Sequence, residues 1–223
     1  MKATVIGGGL AGCEAAYTLA RYGIEAELWE QKPEHYSPAH KYPGLAELVC
    51  SNSLKAARLD SASGMLKEEM RRLGSLIVPC AEKTAVAAGG ALAVDREAFS
   101  DAVTAAIREN PLIRLVEKQA DAIPEGPVIV ATGPLTSGAL AEEIVRLTGR
   151  TGLSFFDAAA PIVTDESIDH SIVFAASRYG RGEDDYLNCP MNKEEYEAFY
   201  EALVSAESVE LHAFEKKDFR VYE

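Results

Sequence analysis

Thr4-Val5-Ile6-Gly7-Gly8-Gly9-Leu10-Ala11-Gly12 is the stretch whose reading decides the fold. Its pattern predicts a short apolar strand that runs into a glycine-rich turn. A helix follows from about Cys13 to Tyr22, then a second strand, Ala26-Glu27-Leu28-Trp29, which ends at Glu30. Strand, glycine turn, helix, second strand and an acid eighteen positions past the last glycine make up the dinucleotide-binding fingerprint in its full context. Each part has a physical task. Gly7 permits the tight turn, Gly9 leaves the backbone open to a pyrophosphate, and Gly12 lets helix and strand approach closely. The start of the helix, at Gly8, Leu10 and Ala11, offers free N–H groups and a partial positive charge to phosphates. Glu30 is placed to accept hydrogen bonds from ribose hydroxyls, which disfavours a 2′-phosphate there and points to FAD or NAD rather than NADP.

Outward from this stretch, the chain reads as α/β. Leu66, Met70 and Leu73 at helical spacing predict an amphipathic helix, and Phe99, Val103 and Ile107 predict another over Arg96–Arg108. Residues 83–94 read as a strand pair broken at Gly89-Gly90. Ile113-Arg114-Leu115-Val116-Glu117 reads as a strand. Val128-Ile129-Val130 reads as a buried strand that ends in the small-residue turn Ala131-Thr132-Gly133, and a helix is expected over Ser137–Thr148. Segment 31–62 looks irregular, with Pro33, Pro38, Pro43 and Gly44. The alternation of strands and helices implies a Rossmann-like, parallel-sheet domain. After about Ser177 the composition turns acidic, with a helix over Glu194–Ser205. The expected division is therefore residues 1–177, an incomplete dinucleotide-binding domain, and 178–223, the start of a second or inserted domain.

The 223 residues suffice for one large domain or one domain with part of another, and 48% hydrophobic content is ample for a core. A net charge of −13 disfavours non-specific nucleic-acid binding by this chain alone. Lys2 leads directly into a strand rather than a signal-peptide apolar region, and no apolar run reaches membrane-spanning length. Cys13, Cys50, Cys80 and Cys189 lack CxxC spacing and read as reduced, cytoplasmic thiols, two or three of them small core residues. His35, His40, His170 and His212 form no ligand spacing, so no metal is expected.

Two further features bear on chemistry. Ala131-Thr132-Gly133 suits the place where a sheet returns beside a flavin, and with the fingerprint it shifts the reading from NAD to FAD. Cys50 lies in a polar, non-periodic stretch before Ser51, Asn52 and Ser53. One reading is a structural thiol, which composition alone favours. The other is a reactive thiol near a flavin, with Ser51 and Asn52 as hydrogen-bond donors to that thiol and as candidate cofactor-binding residues.

A set of longer motifs carries a resemblance. Leu48-Val49-Cys50-Ser51-Asn52-Ser53-Leu54, Leu66-Lys67-Glu68-Glu69-Met70-Arg71-Arg72-Leu73, Gly89-Gly90-Ala91-Leu92-Ala93-Val94-Asp95-Arg96, Ala131-Thr132-Gly133-Pro134-Leu135-Thr136-Ser137 and Tyr186-Leu187-Asn188-Cys189-Pro190-Met191 belong to one pattern. The chain resembles the folate- and FAD-dependent tRNA (uracil-5-)-methyltransferases. GidA-type tRNA-modifying flavoproteins are the nearest relatives to confuse with it.

The resemblance implies methylation of C5 of a T-loop uridine, with methylenetetrahydrofolate as carbon donor, reduced FAD as reductant, and NADH or NADPH to reduce the flavin. It implies a cytoplasmic enzyme whose partner is tRNA. It also implies that Cys50 lies beside the flavin ring, which reverses the preference for a structural thiol, and it leaves open whether that thiol activates the base or forms an adduct. In the family, about twice this length, the sequence after Glu215-Lys216-Lys217-Asp218-Phe219 continues into a Gly-Cys-Met-Pro motif with a second cysteine, the better candidate for attack on uracil C6. This chain stops at Glu223. The expectation is thus an N-terminal half that contributes little of the tRNA surface. Alternatives are a truncated FAD-binding module without catalysis and a GidA-type flavoprotein.

Overall fold

A computed structural model describes residues 1–149, 163–177 and 183–207. The chain divides into two compact units, Met1–Ala159 and Ala160–Glu223. In the first, β1 (Lys2–Ile6) leads through the glycine turn into α1 (Leu10–Arg21) and β2 (Glu25–Glu30). β3 (Ser53–Ala56), α2 (Ala62–Arg72), α3 (Ile77–Lys83), β4 (Ala85–Val86) and β5 (Ala91–Val94) follow. Next come α4 (Arg96–Arg108), β6 (Ile113–Glu117), β7 (Val128–Val130) and α5 (Gly138–Thr148). β1 pairs in parallel with β2 and β7, and β2 with β6, giving a sheet of order β6-β2-β1-β7. A smaller antiparallel sheet has the order β3-β5-β4. The expected α/β class with a parallel sheet is what the chain forms.

The core grows from small residues on α1. Gly12, Cys13, Ala16 and Ala20 form its buried face, so the helix axis can sit close to Val5 and Leu28 on the sheet. α4 supplies the bulk: Phe99, Val103 and Ile107 are fully buried at the predicted four-residue spacing, each contributing roughly 2 kcal/mol by removing apolar surface from water. Asp95 caps this helix by accepting the Ala98 amide at 2.9 Å.

The polar side of α1 holds the two helices after it. Glu14 accepts hydrogen bonds from the Ser75 hydroxyl at 2.7 Å and from the Leu76 and Ile77 amides, both at 3.0 Å, so one carboxylate serves the start of α3. Arg21 donates to the Leu73 and Gly74 carbonyls at the end of α2.

Several local expectations change. α1 begins at Leu10, not near Cys13, because the helix starts as soon as the glycine turn is complete. The irregular region 31–62 contains β3. α3 has no counterpart in the sequence reading. It is seven residues long with Pro79 in its first turn, where a missing N–H is harmless. β7 is not a buried strand: it is the edge of the sheet, with Ile129 and Val130 40% and 38% exposed. Of the four thiols, only Cys13 is a core residue; Cys80 is half-buried, and Cys50 and Cys189 are exposed.

In the second unit, β8 (Phe174–Ala176) and β9 (Tyr186–Asn188) form an antiparallel pair. α6 (Lys193–Ser205) opens with a capping box in which the Asn192 side chain accepts the Glu195 amide and Glu195 accepts the Asn192 amide. The Glu215–Phe219 segment lies outside the described residues. No helix among the described residues is long and apolar enough to cross a membrane.

Two substitutions test this framework by denaturant unfolding. A Cβ on Gly12 would fall 1.7 Å from the Gly7 carbonyl oxygen, so Gly12→Ala is expected to cost roughly 3 kcal/mol through overpacking. Glu14→Ala, which strips three donors of their acceptor, should cost about 2 kcal/mol. Unchanged unfolding midpoints would refute both assignments.

Candidate functional site

The site lies where β1 and β7 end. The chain leaves β1 toward β2 on one side and returns from β6 to β7 on the other. The carboxyl ends of β1 and β7 therefore flank a topological switch point, the usual ligand crevice of an open parallel sheet. Gly7 stands there with φ +103°, a conformation that disfavours any side chain. A Cβ on Gly7 would lie 2.6 Å from the Ala131 carbonyl oxygen and 2.9 Å from Thr132 Cα. The two glycine-containing turns, forecast separately from sequence, thus meet at backbone contact distance. The Thr132 and Thr136 hydroxyls are 2.6 Å apart, and Thr136 donates to the Gly133 carbonyl at 2.7 Å, which closes the second turn.

Gly9 is the N-cap of α1, and no side chain caps the helix there. A Cβ on Gly9 would meet nothing within 4 Å. Open space, uncapped amides at Leu10 and Ala11, and the positive end of the α1 dipole coincide at one point. Those features fit an anionic phosphate group, and the fit rests on this chain's own backbone.

Glu30 is buried, and its carboxylate is engaged on both oxygens: the Gly8 amide donates to Oε2 at 2.6 Å and the Lys32 amide to Oε1 at 2.9 Å. A carboxylate offers about four acceptor sites, so two remain for further donors. The Gly8 carbonyl accepts the Ala46 amide at 2.8 Å and the Cys13 thiol at 3.3 Å. Burial, and after it the Glu30 charge, pushes the Cys13 thiol up to about 12, so Cys13 is a protonated donor at neutral pH and a packing residue.

The segment before Cys50 is ordered by groups that motif reading passed over. Lys32 is 5% exposed, and its ammonium donates to the Tyr42 carbonyl at 2.9 Å, the Gly44 carbonyl at 2.6 Å and Glu47 Oε2 at 3.2 Å. Glu47 Oε1 accepts the Lys41 and Tyr42 amides at 2.8 and 3.0 Å. Burial opposes the charge on Glu47. Those amides and the Lys32 ammonium outweigh it and hold the carboxyl below its ordinary range. From α4, Ser100 donates to the Leu45 carbonyl and Thr104 accepts the Leu45 amide at 2.8 Å. The signal for this set was available only in part: a lysine two residues after the fingerprint acid, and a glutamate in a proline-rich loop, both look solvated in a linear reading.

Cys50 itself is exposed. Ala46 abuts Gly8, and four residues of chain span at most about 14 Å, so the thiol's residue cannot lie far from the glycine turn. Asn52 does not serve the thiol as expected: its amide donates to the Val94 carbonyl at 3.2 Å, and Ser51 Oγ accepts the Ser53 amide at 3.0 Å. Asn52 thereby fastens the Cys50 segment to β5 of the antiparallel sheet, and Ser51 shapes the turn that leads into β3. A hollow of about 290 Å³, lined by Tyr42, Glu47, Val49 and Arg96 among others, adjoins this segment and includes no fingerprint residue. Among the described residues, no cluster of three or more His, Cys, Asp or Glu side chains could hold a metal ion.

The protein from Moorella thermoacetica described as methylenetetrahydrofolate–tRNA-(uracil-5-)-methyltransferase TrmFO is 58% identical over 96% of this chain and 49% of its own length. The Pelobacter propionicus protein of the same description is 60% identical over 96% of this chain and 47% of its own length. The chain thus spans about half the length of the curated relatives it matches. Among solved structures, Aquifex aeolicus GidA aligns with 60% of this chain and 25% of its own, at 16% identity and a TM-score of 0.47. The family described as glucose inhibited division protein A matches residues 2–223. By that match, which covers nearly the whole sequence, the chain belongs to the glucose inhibited division protein A family.

Proposed function

We propose that this chain binds FAD on the glycine turn and forms the FAD-binding part of a folate-dependent tRNA (uracil-5-)-methyltransferase. The single observation that carries the cofactor reading is the open, uncapped start of α1 at Gly9, set at the switch point where Gly7 meets Ala131. The similarity to proteins described as methylenetetrahydrofolate–tRNA-(uracil-5-)-methyltransferase supports the reaction class. In this reading Gly7, Gly8, Gly9, Leu10, Ala11 and Gly12 hold the pyrophosphate, and the free acceptor sites on Glu30 take the ribose hydroxyls. Ala131, Thr132 and Gly133 line the far side of the crevice. Ser51 and Asn52 fix the backbone on which the Cys50 thiol is presented to the flavin end of the site.

FAD held on these residues would, once reduced by NADH or NADPH, supply the reducing equivalents needed to turn a one-carbon unit from methylenetetrahydrofolate into a methyl group. The residues of this chain supply position and a thiol. Uracil C5 becomes nucleophilic once a thiolate adds at C6, and a thiol beside the ring can serve that step or a proton transfer. The T-loop uridine must leave its stack to reach such a site. A cytoplasmic location fits this chemistry and its tRNA substrate.

The alternative is a dinucleotide-binding part that turns nothing over by itself. The two readings separate by assay. Flavin absorption of the purified chain, or its titration with FAD, reads binding. Methyl transfer to T-loop RNA with methylenetetrahydrofolate and a reductant reads catalysis.

Gly9→Ala is the sharpest probe. The backbone there is ordinary extended (φ −73°, ψ −173°) and a methyl meets no neighbour. Stability should therefore stay within about 0.5 kcal/mol, while FAD affinity falls at least about tenfold as the methyl enters the phosphate approach. Parent-like FAD affinity in the folded variant would sink the assignment. Where methyl transfer is measurable, Cys50→Ala should lower its rate by roughly 100-fold or more, and full activity in that variant would remove Cys50 from the site.

A further inference from the structure

Lys32 closes a ring of hydrogen bonds that joins two parts of the site far apart in sequence. The Gly8 amide donates to Glu30, whose other oxygen accepts the Lys32 amide. The Lys32 ammonium reaches the Tyr42 and Gly44 carbonyls and Glu47. The segment so held places the Ala46 amide on the Gly8 carbonyl at 2.8 Å, back at the start of the ring. An ammonium has three donors, and all three are used here. A charge buried this deeply is stable only with such partners.

Ala46 adds an independent sign of constraint. It is fully buried and sits at φ +52°, a region that side-chain-bearing residues adopt only when their surroundings force it. Leu45 Cδ2 would lie 2.6 Å from a Cβ on Gly8, so the segment also abuts the turn by packing.

We propose that Lys32 is a positioning residue: its ammonium clamps segment 42–47 onto the glycine turn, so that a dinucleotide seated on the turn fixes where the Cys50 segment lies. This rests on the reading of the turn as the FAD site and of Cys50 as its thiol. Glu47 is the partner that fills the third donor of the clamp and, through the Lys41 and Tyr42 amides, shapes the loop the clamp holds. Ser100 and Thr104 anchor Leu45 separately from α4, so the loop keeps a second tether when the clamp is cut.

Hydrogen exchange on the 223-residue chain, with and without FAD, tests the clamp together with alkylation of Cys50 by iodoacetamide. The background carries Cys80→Ser and Cys189→Ser, so that Cys50 is the thiol read out; Cys13 is buried with its thiol pushed up to about 12. Without ligand, Lys32→Met is expected to raise exchange in peptides covering 7–12 and 42–50 about tenfold, with α4 and β6 peptides as in the parent. In the parent, FAD should slow exchange in both stretches and slow Cys50 alkylation about threefold. In Lys32→Met, FAD should still protect 7–12, while Cys50 alkylation no longer responds to it.

A residue that only added stability would shift all peptides together and leave the FAD effect on Cys50 in place. Glu47→Gln keeps the shape, removes the charge and should give the same decoupling in weaker form; it decides the matter if Lys32→Met does not fold. Parent-like exchange at 42–50 in the folded variant overturns the proposal, as does a Cys50 response to FAD that survives in it. If FAD changes nothing in the parent, the cofactor reading has failed, and ligand-free exchange at 42–50 alone judges Lys32.

Discussion

The absence of a side chain at Gly12 is the constraint on which the rest of the first unit depends. A Cβ there would sit 1.7 Å from the Gly7 carbonyl oxygen and 3.6 Å from the Ala131 methyl. With only hydrogen in that space, α1 starts directly above the end of β1, and the Ala131 turn closes in from the other side. The helix can then lay its small-residue face, Cys13, Ala16 and Ala20, on the sheet. Its outward side is left free to hold α2 and α3 through Arg21 and Glu14. A helix displaced by even one methyl would lose this register, because interiors at native density do not absorb such a shift without strain.

A second layer of order is polar and buried. Glu30, Lys32, Glu47, Ser100 and Thr104 satisfy backbone groups in a segment that has no strand or helix of its own. No described buried side-chain polar atom lacks a partner, which is what makes such a network stabilising rather than costly. The loop from Pro38 to Val49 is therefore as determined as a regular element. Apart from backbone bonds such as Ala46 to Gly8, it is held by side chains, because its prolines and glycine exclude a ladder.

These two layers explain what the sequence could disclose. Elements with a single dominant period were legible to the residue: α4 and β6 occupy the ranges their apolar spacing predicts. The fingerprint was legible because each glycine answers a local steric demand. α3 was hidden because seven residues carry too little period to register, and its start is stabilised from outside by Glu14, sixty-odd positions earlier in the chain. The exposure of β7 was hidden because an apolar run looks the same at the edge of a sheet as at its centre. The Lys32 clamp was hidden for the opposite reason: charged residues in a proline-rich stretch resemble a solvated loop, and only the fold reveals that their partners are backbone carbonyls.

The clamp also bears on which dinucleotide the turn prefers. A lysine two positions past the fingerprint acid could, on sequence grounds, neutralise a 2′-phosphate. Here its ammonium is turned away and saturated by two carbonyls and Glu47, so it has no donor left to offer. In the proposed site, the ribose end would then meet the Glu30 carboxylate without a compensating cation from Lys32. That carboxylate has acceptor capacity for a diol, while a doubly charged phosphate would meet repulsion in a partly desolvated place. The acid-for-diol preference proposed for the turn therefore does not depend on the acid alone. For the FAD proposed here, the same side chain that would have blurred the distinction between dinucleotides instead ties the turn to the loop that leads to Cys50.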